Sequence, residues 1–241
     1  MATFASKLIN FNVQAAVFDI EGTITPIDFA LDTLFPYAIN NLELFLDDHA
    51  EEPAVKDVIS AIKAQENIPS TAGSKAVVEK IIQLMKANSK FFFLKTLQGM
   101  IWKEGYERGQ FQGQLFKDAH ENLKKWHAAN IPLYTYSSGT ANAQKLLFTH
   151  SIFGNLSNLF RGQFDTTCGQ KTETSSYRNI ADKIGHDPQN ILFFSDAEAE
   201  LQAAQKAGWQ TIRVWKEGDF PRNTNFPIVN TFNIVNLTLK G

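Results

Sequence analysis

The chain has 241 residues, enough to bury a substantial core as one large domain or as one domain carrying an insertion. Its 25 acidic and 23 basic side chains leave a formal charge of −2, which gives no reason to expect nucleic acid or another polyanion as partner. The only cysteine, Cys168, excludes an intrachain disulfide and suits the reducing cytoplasm, and no run approaches the ~20 apolar residues of a membrane span.

In chain order, residues 1–13 are broken by Asn10 and Asn12 and lack the uninterrupted apolar stretch of a secretory leader. Residues 15–18 form the first predicted strand, followed at once by Asp19-Ile20-Glu21-Gly22-Thr23. From Ile27 to Gln114 the β-rich runs disappear. Apolar residues recur there at three- and four-residue spacing, as in Leu31, Leu34, Phe35, Ala38, Leu42, Phe45 and Leu46, and again over 77–84. Pro36 is expected to kink or divide the first of these helices, and the aromatic run from Phe91 to Trp102 is expected to pack internally. From Phe116 onward, predicted strands at 131–136, 191–194 and 211–214 alternate with predicted helices at 141–148, 175–184 and 197–207, the last closed by Gly208. The segment from Phe220 to Gly241 carries no interpretable motif. This order predicts an α/β core built from residues 1–26 and 115–241 around a parallel sheet, with residues 27–114 inserted as an all-helical cap domain.

In open α/β sheets ligands collect beyond the carboxyl ends of the strands, and here the strand ends are all polar. The first strand ends in Asp19 and Glu21, the second in Ser137-Ser138-Gly139-Thr140, and the third in Ser195-Asp196, while Lys171 precedes a helix. Taken singly each has a plain reading: Ser138 as a helix cap, Lys171 as a surface charge, Glu200 as a helix charge paired with Lys206. Together they supply what phosphoryl transfer to a carboxylate needs. Asp19 is the candidate nucleophile, and Glu21 the acid that protonates the leaving oxygen and then deprotonates water. A phosphate dianion repels a carboxylate unless a hard cation cancels the charge, so Mg²⁺ on Asp19 and Asp196 is expected. Ser137 and Ser138 would offer donors at the start of the Ala141 helix, and Lys171 a positive charge against phosphate and nucleophile. No G-x-G-x-x-G follows the first strand, no G-x-x-x-x-G-K-[ST] occurs, and the histidines do not fit H-E-x-x-H.

The motifs Asp19-Ile20-Glu21-Gly22-Thr23 with Thr25-Pro26-Ile27, Leu97-Gln98-Gly99 with Trp102, Tyr136-Ser137-Ser138-Gly139, and Ala143-Gln144-Lys145-Leu146-Leu147-Phe148 resemble the enolase-phosphatases of methionine salvage, or acireductone synthases. The likeness continues through Phe164-Asp165-Thr166, Lys171-Thr172-Glu173, Ser176-Tyr177, Ile191-Leu192-Phe193 and Ser195-Asp196 with Glu200. The resemblance implies a Rossmann-like haloacid-dehalogenase core with a helical cap. It implies Mg²⁺ bound by the side chains of Asp19 and Asp196 and the backbone carbonyl of Glu21, and substrate held by Ser137, Ser138 and Lys171. It also implies a small phosphorylated diketone as substrate, 2,3-diketo-5-methylthiopentyl-1-phosphate, enolised and then dephosphorylated to acireductone; a cytoplasmic monomer is expected. The chain departs from the family at Ile24, where a further Thr is typical, and at Trp215-Lys216-Glu217-Gly218, where an Arg-Pro-Gly-type segment is common. The rival readings are a phosphatase for another small monoester, a metal-free dehalogenase, against which Glu21 and Asp196 argue, and an inactive binding module, which would be expected to lose Asp19, Lys171 or Asp196.

Overall fold

The computed structural model describes residues 8–216, 218, 221 and 224–241. Part of the 1–13 reading, and the remarks on Glu217 and Phe220, therefore lie outside the described residues. The chain forms two compact units, one of Met1–Ile27 with Gly113–Gly241 and one of Asp28–Gln112.

The first unit contains a six-stranded, wholly parallel sheet. Its strands are β2 (Ala15–Phe18), β3 (Leu133–Tyr136), β4 (Gly162–Phe164), β5 (Ile191–Ser195), β6 (Gln210–Val214) and β7 (Ile228–Val229), in the order β4-β3-β2-β5-β6-β7. A separate parallel pair joins β1 (Ile9–Val13) to β8 (Val235–Leu239). Strands β2 and β5 are buried along their whole length, as expected of central parallel strands covered on both faces. One face is filled by aromatic rings: Phe18 stacks on Phe194 at 4.6 Å, and Trp126 and Phe232 close around them at 5.7 and 5.6 Å from Phe194. The other face buries Tyr177 between Tyr136, Phe193 and Trp209, with centroids 5.3–5.6 Å apart. Each fully buried ring contributes roughly 1.5–3 kcal/mol by leaving water.

Helices α5 (Lys117–Ala128), α6 (Ala141–Thr149), α7 (Thr174–Ile184) and α8 (Glu198–Lys206) belong to this unit. Gly208, at φ 92°, follows the end of α8 and lets the Trp209 N–H turn back to the Ala204 carbonyl. Because β2 lies between β3 and β5, the chain leaves it in opposite directions on its two sides, which makes its carboxyl end the switch point of the sheet. Phe18 is level with Thr135 on β3 and Phe194 on β5, so Asp19, Tyr136 and Ser195 come next on three adjacent strands.

The second unit is helical: α1 (Phe35–His49), α2 (Pro53–Gln65), α3 (Ser74–Lys86) and α4 (Phe92–Glu107). Pro36 does mark a division. Phe29–Leu34 is a π-helical segment, and regular α-helix starts at Phe35 with Pro36 in its first turn, where a missing N–H costs nothing. Trp102 of α4 fastens this junction by donating its indole N–H to the Leu34 carbonyl at 2.6 Å. The expected internal packing of the aromatic run does not hold throughout. Phe92 and Phe93 are 38% and 37% exposed. Burial of Leu94, Leu97, Gln98, Ile101 and Trp102 fixes the phase of α4 and turns Phe93, with Lys103 and Glu107, to the open face. Leu31, expected on the buried stripe, is likewise exposed.

Candidate active site

The sequence just after β2 folds into a tight loop in which the Ile20 carbonyl accepts from the N–H groups of Thr23, Ile24 and Thr25, and Gly22 donates to the Thr25 carbonyl. Gly22 sits at φ 78°, and a Cβ there would lie 2.7 Å from an Asp196 oxygen, so both the turn and the approach of Asp196 require glycine. Thr23 Oγ1 accepts from the Asp196 N–H at 3.1 Å, and Arg213 Nε donates to the Asp196 carbonyl at 3.2 Å while its guanidinium pairs with Glu198 at 2.8 Å. Asp196 is thus fixed from two sides, by residues whose role no spacing in the sequence reveals.

Asp19 is 5% exposed. The Lys171 ammonium forms a short hydrogen bond to Asp19 Oδ1 and a second ion pair with Glu200 Oε2 at 2.7 Å. Burial opposes the charge on Lys171, but the two carboxylates outweigh it and hold the ammonium above its ordinary range. The plain readings of Lys171 as a surface charge and of Glu200 as a partner of Lys206 therefore fail. Lys171 is 9% exposed, and Glu200 points to Lys171 and accepts from Ser195 Oγ at 2.9 Å. The Glu200 carboxyl is pushed up to about 7, first by burial and then by the Asp19 charge.

Glu21 is half-buried, and burial followed by the Asp19 charge raises its pKa above the usual carboxylate value. Ser137 Oγ donates to Glu21 Oε2 at 3.1 Å and accepts from the Gly139 N–H at 3.1 Å. Behind this turn Gln144 acts as a buttress: its amide donates to the carbonyls of Gly139 and Phe164, and its oxygen accepts from Thr135. Ser138 is half-buried and makes no side-chain hydrogen bond among the described residues. It is not the cap of α6. Thr140 fills that position and accepts from the Ala143 N–H at 3.3 Å, and Asp165 accepts from the Ala141 N–H at 2.9 Å. Two N–H groups expected to be open to an anion at this helix start are consequently already taken.

Among the described residues no cluster of three His, Cys, Asp or Glu side chains has metal-holding geometry. The donors gathered here are of another kind: two carboxylates, Asp19 and Asp196, and the Glu21 carbonyl, which none of the loop N–H groups engages. The Asp196 carboxyl is pushed up to about 6 by burial and by the Asp19 charge, a repulsion that a hard divalent cation would relieve. Few protein oxygens, with waters and phosphate completing the shell, is the donor set Mg²⁺ takes, so the residues fit that ion. The arrangement offers a carboxylate paired with an ammonium and, two residues on, a carboxyl that holds its proton more tightly than a free one does.

Residues 13–208 match the haloacid dehalogenase-like hydrolases. The chain is 41% identical over 223 residues to enolase-phosphatase E1 of Aquifex aeolicus, covering 89% of this chain and 97% of that one. It is 45% identical over 209 residues to the enolase-phosphatase E1 of Xylella fastidiosa strain 9a5c, covering 86% and 89%. The solved structure of the UTR4 protein from Saccharomyces cerevisiae superposes with a TM-score of 0.77 at 32% identity, over 92% of this chain and 99% of that one.

Proposed function

The chain belongs to the haloacid dehalogenase-like hydrolases and, among them, to the enolase-phosphatases, and from that membership we propose that it enolises 2,3-diketo-5-methylthiopentyl-1-phosphate and then removes its phosphate to yield acireductone. The observation that carries the phosphatase half is the Asp19–Lys171 pair at the end of β2, with a proton-holding Glu21 two residues on. Asp19 attacks phosphorus and forms an aspartyl-phosphate; Glu21 gives its proton to the leaving enol oxygen and then takes one from the water that attacks the intermediate. Mg²⁺, held by Asp19, Asp196 and the Glu21 carbonyl, would supply compensation for the phosphate charge and polarise its oxygens. Ser137 keeps the Glu21 carboxyl in place, and Ser138, whose hydroxyl has no protein partner among the described residues, is assigned to substrate along with Ser137 and Lys171. A small phosphorylated substrate and the single cysteine are consistent with work in the cytoplasm.

Product analysis on the diketone phosphate tests both halves at once. Enediol absorbance followed by phosphate release is the expected course. Phosphate release from other small monoesters, with none from the diketone, would replace this assignment with that of a plain phosphatase.

A further inference from the structure

Lys171 stands outside every helix and strand, on the turn between the 3₁₀ turn Thr166–Cys168 and α7. Four successive carbonyls of that turn each accept a side-chain hydrogen bond. Asn179 Nδ2 donates to Cys168 O at 3.1 Å, Tyr136 OH to Gly169 O at 2.8 Å, Ser176 Oγ to Gln170 O at 2.7 Å, and Tyr177 OH to Lys171 O at 2.7 Å. Three of the donors come from α7 and one from the end of β3. Gly169, at φ 122°, lies so close to α7 that a Cβ would collide with the Ser176 hydroxyl. Both tyrosines are fully buried, and burial pushes the Tyr136 phenol up to about 12, so each remains a neutral donor. The Lys171 ammonium also faces the Tyr136 ring at 5.9 Å.

A lysine on a loop could be held by its ion pairs alone, and in the resting site it has two. The pair with the Asp19 carboxylate is interrupted during the reaction. Once Asp19 is phosphorylated the oxygen that reacted is an ester oxygen, and the anions that draw on Lys171 are Glu200 at 2.7 Å and the phosphoryl oxygens, which leave with the water. Breakdown of the intermediate then requires the ammonium to be back beside Asp19. A water oxygen bonds to phosphorus, its proton passes to Glu21, the bond from phosphorus to the Asp19 oxygen breaks, and the electron pair returns to Asp19 as a carboxylate. The same ion pair that steadies Asp19 before attack, and so works against attack, favours its departure.

We propose that Tyr177, seconded by Tyr136, is a positioning residue for the second half of phosphoryl transfer: by clamping the Lys171 peptide it keeps the ammonium beside Asp19 while Asp19 is esterified. This inference rests on the reading of Asp19 as nucleophile. Tyr177→Phe removes a single oxygen and keeps the ring that fills the core. With the diketone phosphate and Mg²⁺, the variant is expected to show a kcat lowered about tenfold, a KM lowered with it, and kcat/KM within about twofold of the parent. Rapid acid quenching should trap more phosphorylated Asp19 than in the parent. Unchanged occupancy of the phosphoenzyme, or a kcat/KM that falls as far as kcat, overturns the proposal, because a merely structural role would loosen the first step equally. If Tyr177→Phe does not fold, Tyr136→Phe, which frees the carbonyl two residues earlier, is held to the same two readouts. Absence of any phosphoenzyme in the parent overturns the nucleophile reading itself, which separates the two failures.

Discussion

For Glu21 to serve as the proposed acid and base it has to be protonated when the leaving oxygen departs and ionised when water attacks, a task that a pKa above that of a free carboxyl favours. Burial and the Asp19 charge supply the upward shift, and the Ser137 hydroxyl moderates it. Glu21→Gln is expected to lose phosphate release by ~10²–10⁴-fold while keeping any contact made through its carbonyl; release at the parental rate would send the search for the acid elsewhere. Asp19→Asn is expected to abolish phosphate release altogether, scored by phosphate assay. If Glu21 is also the enolising base, the enediol absorbance disappears in Glu21→Gln with the phosphate. Asp19, Glu21 and Asp196 were legible because β2 and β5 are unbroken apolar runs that stop abruptly at polar residues. Lys171 was not legible from a strand end, since it sits on a turn; its charge gained meaning only beside the other polar residues. Nothing in spacing or periodicity marked what Thr23, Arg213 and Gln144 do, because each acts by holding backbone groups of other segments, and a hydroxyl on a turn, a guanidinium on a strand or an amide on a helix does not announce its partner.

Among the elements, the strands most easily read were those buried on both faces, and the short or edge strands were missed. β4 and β7 have three and two residues, too few to show a period. β1 and β8 do alternate, with Ile9, Phe11 and Val13 in one and Val235, Leu237 and Leu239 in the other, but each alone could pass for a loop. In the second unit the periodic stretches over 31–46 and 77–84 and the aromatic run 91–102 fall largely on helices, while α2 had no stretch of its own singled out, and phase was less legible than period, so that Phe92, Phe93 and Leu31 proved exposed. At the end of α1, His49 is paired with Glu52 at 2.6 Å and with Glu104 of α4, which also meets Arg108 at 3.3 Å. The bond to Glu52 and then that to Glu104 outweigh burial and raise the His49 pKa. A raised folded pKa means that the native state holds the proton longer. The contribution is therefore complete below about pH 6.5 and is lost as pH climbs through the raised value. Hydrogen exchange near the end of α1 is expected to quicken as pH rises through that window, after correction for the intrinsic rate, with an effect below about 1 kcal/mol for so accessible a pair. His49→Gln should flatten the dependence; an equally steep curve in that variant would assign it to other groups.

On the scale of the molecule, the first unit is held together by ties between segments far apart in sequence. Lys216, beyond β6, pairs with Asp118 of α5 at 2.6 Å and lies between the Phe116 and Phe232 rings at 4.9 and 4.5 Å, while Asp118 also accepts from the Phe232 N–H at 2.8 Å. Burial pushes the Asp118 carboxyl up, but Lys216 and the Phe232 N–H overcome it and hold it below its usual value. That contribution is present above the ordinary aspartate pKa and is lost as pH falls through the lower folded one. Asp118→Ala strands the charge of a lysine whose side chain is only 8% exposed. The loss is expected to be about 2–3 kcal/mol, short of the ~3–5 of a fully buried pair because Asp118 itself is partly open to water. A denaturation midpoint within error of the parent would show that Lys216 finds another anion.

The pairing of β1 with β8 sets an order of events during synthesis. Asn10 and Asn236 face each other 226 positions apart, and the Lys240 N–H reaches back to the Val13 carbonyl at 2.8 Å. A ribosome that has already delivered β1 must make almost all the rest of the sequence before β8 emerges to receive it. Until then the first strand presents a bare row of amide and carbonyl groups, with Phe11 and Val13 on it, to anything nearby in the cell. The slow, long-range closure of that pair comes late, after the catalytic sheet has had the means to form around β2. Of the strands in this sequence, 9–13 therefore waits longest for the partner that covers its edge.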